Sequence, residues 1–260
     1  MVTNTPLTRY DHNRWETSRR ILRFLLRTLG AGLLLRLGEV SGLENIPARG
    51  PAILYFNHIS LVDPVVIIHL APRNITPMAK VEVYNYPLIG VFPKWWGVIP
   101  VHREEFDRPA IRQAIEVLRA GEILLIAPEG TRSPQMQQAK DGMAYLACRM
   151  NVPLIPVGID GTPGYPTLRG SRRWRAGGVT VRFGRPFRFR WGMAAQGNPP
   201  IWHANGTGAE KQPSKLLPDR ELLRQMTDTA MVQLARLLPE HRRGIYREES
   251  LALQETIEMC

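Results

Sequence analysis

The chain of 260 residues has little cysteine, little lysine and no long uncharged apolar run. Its two cysteines, Cys148 and Cys260, are too few for a disulfide framework or a cysteine-based zinc site, which favours a reducing compartment. A conventional membrane-spanning helix is not predicted, because that needs about 18 consecutive apolar residues. Only five lysines accompany 29 arginines, and with 23 acidic residues the formal net charge is +11.

The remaining composition is that of an ordinary globular protein. Hydrophobic residues make up 44% and charged residues 22%, which excludes wholesale disorder. The excess of arginine favours planar contacts to phosphate or carboxylate groups, although an Arg-rich proteome would give the same bias. The length suits one large domain or two small ones.

Residues 1–39 are predicted to form an N-terminal amphipathic helical attachment. Within Ile21–Leu37 and its flank, basic residues recur on one helical face and leucines lie largely on the other. The basic set is Arg20, Arg23 and Arg27, and the apolar set is Leu22, Leu25, Leu26, Leu29 and Leu33. This pattern predicts a helix lying in a membrane interface or, equally, one packed on the domain's own core.

From residue 40 onward, buried strands alternate with helices, which predicts an α/β fold with a mostly parallel central sheet flanked by helices. We expect strands at 52–56, 122–127, 152–159 and 179–183, and helices at 64–70 (capped by Asp63), 108–120, 138–150 and 219–238. Residues 40–191 are assigned to this domain. Residues 192–218 are rich in Gly, Pro, Ala and Asn and are predicted to be a flexible insertion, followed by a C-terminal helix and charged tail over 219–260.

The first candidate site is the run Asn57–Pro64, directly after a predicted buried strand. On a continuous helix His58 and Asp63 would face about 140° apart, so they meet only if His58 lies in a turn and Asp63 begins the helix. An aspartate bound to one ring nitrogen would make the other a general base. The alternative is a helix-capping Asp63 and a histidine that merely occupies the turn.

Three further runs complete the pattern. Ala127–Pro134 contains Glu129, Gly130, Thr131 and Arg132, where glycine permits close approach of a ligand and arginine can bind phosphate. A turn with a surface Glu–Arg pair would look similar. Gly97–Arg103 supplies Arg103, and Val152–Val157 has no reactive side chain and is expected to support the site.

These four runs, in this order, resemble the four sequence blocks of the glycerolipid acyltransferases, in particular the 1-acyl-sn-glycerol-3-phosphate acyltransferases. Met78–Lys80 and Pro87–Gly90 are also similar to the stretch between the first two blocks. The resemblance covers roughly residues 40 to 185. Ala127 departs from it, because an aromatic residue often precedes Pro-Glu-Gly in the family.

The resemblance implies transfer of a fatty acyl group from a thioester to the free hydroxyl of 1-acyl-glycerol 3-phosphate, giving phosphatidic acid for phospholipid biosynthesis. His58 would take the hydroxyl proton and Asp63 would orient His58. No metal and no cofactor are expected, since the acyl thioester of coenzyme A or acyl carrier protein is a co-substrate. Cys148, inside a helical pattern, is expected to be core and not a nucleophile.

The resemblance also implies substrate-binding residues. Arg103 and Arg132 are the candidates for the acceptor phosphate, with Gly130 and Thr131 as hydrogen-bond donors. Glu129 would hold one of these arginines or bind a glycerol hydroxyl, because direct contact with phosphate would be repulsive. Asn57 and Ser60 are expected to support the site.

The expected partners are the lysophospholipid, the acyl thioester and an anionic membrane surface, with acyl carrier protein a further candidate. Arg169–Arg190 holds eight arginines, no acidic residue and interleaved aromatics, which predicts a face for anionic lipid or coenzyme A, or else a solvated rim. The expected location is the cytoplasmic face of the cell membrane, with peripheral or monotopic attachment.

Three alternatives stay open. The acceptor can be another lysophospholipid, glycerol 3-phosphate or an amino-lipid hydroxyl. An inactive lipid-binding relative is disfavoured because His58 and Asp63 are both present. A nucleic-acid-binding module would account for the charge of +11 but would leave the four ordered runs unexplained, so no nucleic-acid partner is expected.

Overall fold

The computed structural model describes residues 12–30, 33–87, 90–102, 107–190, 218–248 and 256–260. Its strands are β1 (Leu37–Ser41), β2 (Ala52–Phe56), β3 (Ile75–Lys80), β4 (Ile99–Val101), β5 (Ile123–Ile126), β6 (Leu154–Asp160), β7 (Val179–Phe183), β8 (Phe187–Phe189) and β9 (Ile257–Met259). Its helices are α1 (Glu16–Leu25), α2 (Asp63–Leu70), α3 (Val91–Trp96), α4 (Arg108–Arg119), α5 (Gly142–Met150), α6 (Arg172–Arg175) and α7 (Arg220–Ala235). Arg103 and residues 192–217 lie outside the described residues.

The strands form one sheet in the order β1-β7-β6-β2-β5-β3-β4, with β8 beside β6 and β9 beside β8. The five strands from β6 to β4 run parallel. Antiparallel pairing occurs between β6 and β7, β6 and β8, and β8 and β9. The predicted mostly parallel α/β sheet is therefore confirmed. Because the carboxyl ends of parallel strands share one edge, the segments after β2, β4 and β5 are brought together there.

Helices cover both faces of this sheet. On one face α4, α5 and α7 pack against alternate strand residues such as Ile53 and Tyr55. On the other face α2 and α3 pack against the intervening residues Leu54 and Phe56. All five residues of β2 are buried, since a central strand covered on both faces presents no polar side.

Most predicted elements are confirmed within a few residues. β2 and β7 have the predicted bounds, and α4 begins at an Asp107 cap and is followed by Gly121 at φ 78°. The helix predicted over 138–150 is shorter, because α5 begins only at Gly142. The residues before it instead pack back on the turn after β5, where the Lys140 amide donates to the Pro128 carbonyl at 2.9 Å.

The N-terminal helix shows the predicted faces only in part, because Arg20 and Arg27 are exposed whereas Arg23 is half-buried. Arg19 is buried and donates to the Trp96 carbonyl at 2.8 Å, and Arg23 donates to Asn74 at 2.9 Å. Leu22 and Leu26 pack beside them on the core. The guanidinium groups of Arg19 and Arg23 turn toward the core because the Trp96 carbonyl and the Asn74 side chain accept hydrogen bonds there. None of the described helices has an apolar stretch long enough to cross a membrane.

The C-terminal and Arg-rich segments also differ from expectation. The tail contributes β9, which extends the sheet beside β8, so it is not simply a charged tail.

In the segment 169–190, Phe183, Phe187 and Phe189 are buried, because alternation along β7 and β8 turns them into the core. Arg182 pairs with Glu39, so this part of the segment is not an open aromatic and basic face.

Candidate functional site

The central feature of the site is a contact between His58 and Asp63. His58 lies in the turn after β2, and Asp63 is the first residue of α2. His58 Nδ1 is 2.9 Å from Asp63 Oδ2, and the Asp63 side chain is fully buried. Because an ionised carboxylate is only an acceptor, Nδ1 carries the hydrogen and Nε2 is the basic nitrogen. The sequence spacing thus produces the geometry of a general base.

The Asp63 side chain does not accept a hydrogen bond from the first turn of α2. The alternative interpretation of Asp63 as only a helix cap is therefore wrong. Its Oδ2 instead accepts the backbone amides of Ile59 and Ser60, each at 2.7 Å. The carboxylate therefore points back into the turn that carries His58. Ser60 contributes through its main chain at this point.

The turn is tied to the neighbouring strands by three further contacts. The Asn57 side chain is buried and exchanges two hydrogen bonds of 2.9 Å with the Ile159 main chain in β6. The Ser133 amide donates to the His58 carbonyl at 2.8 Å. The predicted supporting residue Asn57 thus fixes the turn to the next strand, and the second sequence run contacts the first.

Glu129 lies beneath this turn with an exposed fraction of 6%. Burial raises the pKa of Glu129 to about 7, and the amides of Gln137 and His58 act against that rise. Its Oε2 accepts from the Gln137 amide at 2.7 Å. The described residues do not give Glu129 the arginine partner that was expected. Its carboxyl group instead organises backbone at the site.

The other predicted binding residues differ in whether they line the cavity that contains His58. Gly130 lines the same cavity as His58 and has φ 68°, a left-handed conformation that glycine adopts without strain. Thr131 and Arg132 are exposed on the turn that follows and do not line that cavity. Arg103 falls outside the described residues.

A cavity of about 820 Å³ opens beside His58 at the carboxyl edge of the sheet. Its wall is largely apolar and comes from α2, α3, α4, α5 and the ends of β3, β4 and β5. Its polar lining residues are His58, Lys80, His102, Asp107, Lys140, Asp141 and Tyr145. A large, mostly apolar space with a few polar groups suits an amphiphile with a hydrocarbon chain.

The cavity contains a second His-x4-Asp pair that the sequence interpretation missed. His102 Nδ1 is 3.1 Å from Asp107 Oδ2, and the same oxygen accepts the His102 amide at 2.7 Å. Asp107 also caps α4 through the Ala110 amide at 2.9 Å. The sequence signal that could have revealed this pair is its spacing, which repeats that of His58 and Asp63. This histidine side chain is 65% exposed, whereas that of His58 is 15% exposed.

Cys148 has a core environment, as expected. Its thiol lies 3.6 Å from the Met226 sulfur, and burial raises its pKa to about 12. A thiol that stays protonated at neutral pH is a poor nucleophile. The environment of Cys148 therefore gives no support to a role as nucleophile.

Comparison with known proteins agrees with this geometry. The sequence model of the family described as Acyltransferase matches residues 38–160. The chain is 30% identical over 166 residues to a 1-acyl-sn-glycerol-3-phosphate acyltransferase of Bacillus subtilis, covering 63% of this chain and 81% of that protein. It is 29% identical to a protein of the same name from Cocos nucifera, covering 64% of this chain and 53% of that protein.

A solved structure is similar as well. The crystal structure of the 1-acyl-sn-glycerophosphate (LPA) acyltransferase PlsC from Thermotoga maritima matches with a TM-score of 0.52 and 26% identity, covering 69% of this chain and 73% of that chain. The chain belongs to the glycerolipid acyltransferase family. It is an O-acyltransferase, and the His58–Asp63 pair lies within the matched region.

Proposed function

We propose that this enzyme transfers a fatty acyl group from an acyl thioester to the free hydroxyl of 1-acyl-glycerol 3-phosphate. The observation that carries the proposal is a carboxylate-bound histidine lining a large apolar cavity. The names of the Bacillus subtilis and Thermotoga maritima relatives support this acceptor. The product would be phosphatidic acid and the free thiol.

The proposed acyl transfer needs no reacting group beyond the two substrates, His58 and Asp63. His58 Nε2 takes the hydroxyl proton while the acceptor oxygen attacks the thioester carbonyl, and Asp63 remains ionised beside the imidazolium. The new C–O ester bond replaces the C–S bond, and the imidazolium returns its proton to the leaving thiolate. Thiolate is a good leaving group, so neither a metal nor a covalent acyl-enzyme is needed.

The cavity suggests how the two substrates are held. Its apolar wall would take the acyl chain, since buried hydrocarbon gains about 25 cal/mol per Å². Lys80 and Lys140 lie in the lining and would attract the acceptor phosphate together with Arg103. Arg132 is exposed and would contribute from the rim of the site.

We also propose that the enzyme works on a membrane surface. Ile21, Phe24 and Leu25 of α1 and Val91 and Trp95 of α3 are between 42% and 65% exposed. The two helices are joined by a 2.6 Å hydrogen bond from the Ser18 hydroxyl to the Trp95 carbonyl. These five exposed side chains form what we call the α1–α3 patch.

The surroundings of the α1–α3 patch favour lipid as its partner. Arg20 of α1, Arg27 just after α1 and Lys94 of α3 are exposed and suit anionic headgroups. Phe92 and Pro93 of α3 line the cavity. One short helix therefore carries both exposed apolar residues and part of the cavity wall, so a membrane bound at the patch would lie next to the site.

Vesicle sedimentation tests the membrane proposal. The double variant Phe24→Ser/Trp95→Ser should bind vesicles containing phosphatidylglycerol at least about fivefold more weakly than wild type. Ile245→Ser is the matched control, because that side chain is 52% exposed but lies outside the patch. Equal binding by all three proteins would contradict the proposal.

An acceptor panel tests the substrate proposal. With oleoyl-coenzyme A as donor, we expect transfer to 1-acyl-glycerol 3-phosphate to exceed transfer to lysophosphatidylcholine and to glycerol 3-phosphate by at least tenfold in kcat/KM. The first comparison tests recognition of the phosphate monoester, and the second tests the need for an acyl chain. A higher rate with either alternative acceptor would overturn the assignment.

A further inference from the structure

Of the hydrogen-bond partners described above for the Asp63 side chain, all are near it in sequence, whereas a further partner, Thr162, is distant. It lies in the loop after β6, 99 residues beyond Asp63 and outside the four sequence runs. Its side chain is fully buried. Its hydroxyl Oγ1 donates to Asp63 Oδ1 at 2.5 Å, the short distance typical of a hydroxyl bound to a carboxylate.

The two oxygens of Asp63 have different partners. Oδ2 accepts from the His58 ring and from the Ile59 and Ser60 amides. Oδ1 accepts from Thr162. The three donors on Oδ2 all come from the turn that carries His58, whereas the donor on Oδ1 comes from a separate strand end. Thr162 therefore holds the carboxylate plane relative to the sheet and not merely relative to the turn.

The loop that carries Thr162 is itself tightly held. Gly161 has φ 79°, and a Cβ there would lie 2.8 Å from the Gly178 carbonyl oxygen. Arg173 donates to the carbonyls of Gly161 and Pro163, and its guanidinium lies 4.4 Å from the Tyr165 ring centre. A loop held by this many contacts supplies a fixed reference point for the threonine hydroxyl.

We propose that Thr162 is a positioning residue for the transfer step, acting through Asp63 on His58. The inference rests on the proposed use of His58 as the base. By fixing Oδ1, the threonine hydroxyl keeps Oδ2 directed at Nδ1, which holds the imidazole in the orientation and tautomer that present Nε2 to the acceptor hydroxyl. Thr162 does not line the cavity, so it orders the base without binding substrate.

This role has a distinct kinetic signature. Loss of the hydroxyl would leave a buried carboxylate oxygen without its donor, and Asp63 would rotate or draw in water. The base would then be misoriented in the transition state while the substrate contacts stay intact. We therefore expect kcat to fall and both KM values to stay within about twofold of wild type.

The test compares three variants. Thr162→Val keeps the shape of the side chain but removes the hydroxyl, and its kcat should fall about tenfold or more. Thr162→Ser restores the hydroxyl and should return kcat to within about threefold of wild type. Thr227→Val is the matched control, because Thr227 is equally buried but donates to the Leu223 carbonyl within α7. It should lose thermal stability without losing kcat.

A second measurement does not depend on knowing the substrates. In protein labelled with 15N-histidine, His58 of the wild type should show Nδ1 protonated and a downfield Nδ1 proton, assigned by its absence in His58→Ala. Thr162→Val should move that proton upfield, and Thr162→Ser should restore it. A protein inactive toward every acceptor would refute the proposed function, and this signal would still decide the role of Thr162.

Two results would overturn the inference. One is a Thr162→Val enzyme with wild-type kcat and an unchanged His58 signal. The other is a kcat loss in Thr162→Val that Thr227→Val reproduces and Thr162→Ser does not relieve, because that pattern would mark a general effect of core disruption.

Discussion

Asn57 and Ile159 exchange two hydrogen bonds of 2.9 Å, from the Asn57 side-chain amide to the Ile159 carbonyl and from the Ile159 amide to the Asn57 side-chain oxygen. The Asn57 side chain thus makes, just beyond the end of β2, the kind of hydrogen bonds to β6 that the β2 main chain makes within the sheet. Because Asn57 directly precedes His58, this pairing fixes where the turn with the base begins. His58, the proposed general base, is therefore held by the sheet and not by its turn alone.

Replacing Asn57 with leucine should destabilise the protein. The two polar main-chain groups of Ile159 would be left buried without partners, at a cost of about 2–4 kcal/mol in the free energy of unfolding. Thermal and urea unfolding would measure this loss. Asn85→Leu, at an exposed position, is the control and should change stability by less than about 0.5 kcal/mol.

Replacing Asp63 with asparagine should leave the fold intact and nearly abolish transfer. The neutral side chain cannot stabilise the imidazolium, and its amide group competes with the donors around it. We expect kcat to fall by about 10⁴, the loss found when a carboxylate that orients a catalytic histidine is made neutral. Matched circular dichroism spectra with a loss below tenfold would remove Asp63 from its assigned role.

Glu129 should make stability depend on pH near neutrality. Its pKa is raised from an ordinary 4.5 to about 7, so the folded protein holds the proton more tightly than the unfolded chain. This contribution to stability is fully present below about pH 4.5 and is lost as the pH rises through about 7. The full loss is on the order of 3 kcal/mol by pH 8.

The measurement for Glu129 is a pair of thermal unfolding series between pH 5 and pH 8.5. Glu129→Gln cannot ionise, so its unfolding temperature should decline less than that of wild type over this range. Glu44→Gln, at an exposed carboxyl, should follow the wild type. Parallel curves for wild type and Glu129→Gln would show that Glu129 is not buried as described.

Much of the fold was predictable because its strands are short apolar runs with clear stops. β2 and β7 were predicted with their bounds, since Pro51 and Gly178 precede them and polar or glycine residues follow. The mistaken surface assignment of Phe187 and Phe189 has a simple cause. Alternation in a strand buries every second residue, so arginines and aromatics interleaved in sequence separate onto opposite faces.

The centre of the site was predictable for a different reason. A histidine and an aspartate five positions apart can meet only across a turn that leads into a helix, and Pro64 indicates where that helix starts. Thr162 was not predictable from spacing, because its contact with Asp63 spans 99 residues and depends on the pairing of β6 with β2. Contacts of that kind are created by the sheet order and leave no local pattern.

The most direct test of the account is acyl transfer from oleoyl-coenzyme A to 1-acyl-glycerol 3-phosphate by wild type and His58→Ala, with thiol release and phosphatidic acid followed together. We predict equal yields of thiol and phosphatidic acid in wild type, and a loss of both by about 10²–10⁴ in the variant. Product formation by His58→Ala at the wild-type rate would contradict the assignment of His58 as the base.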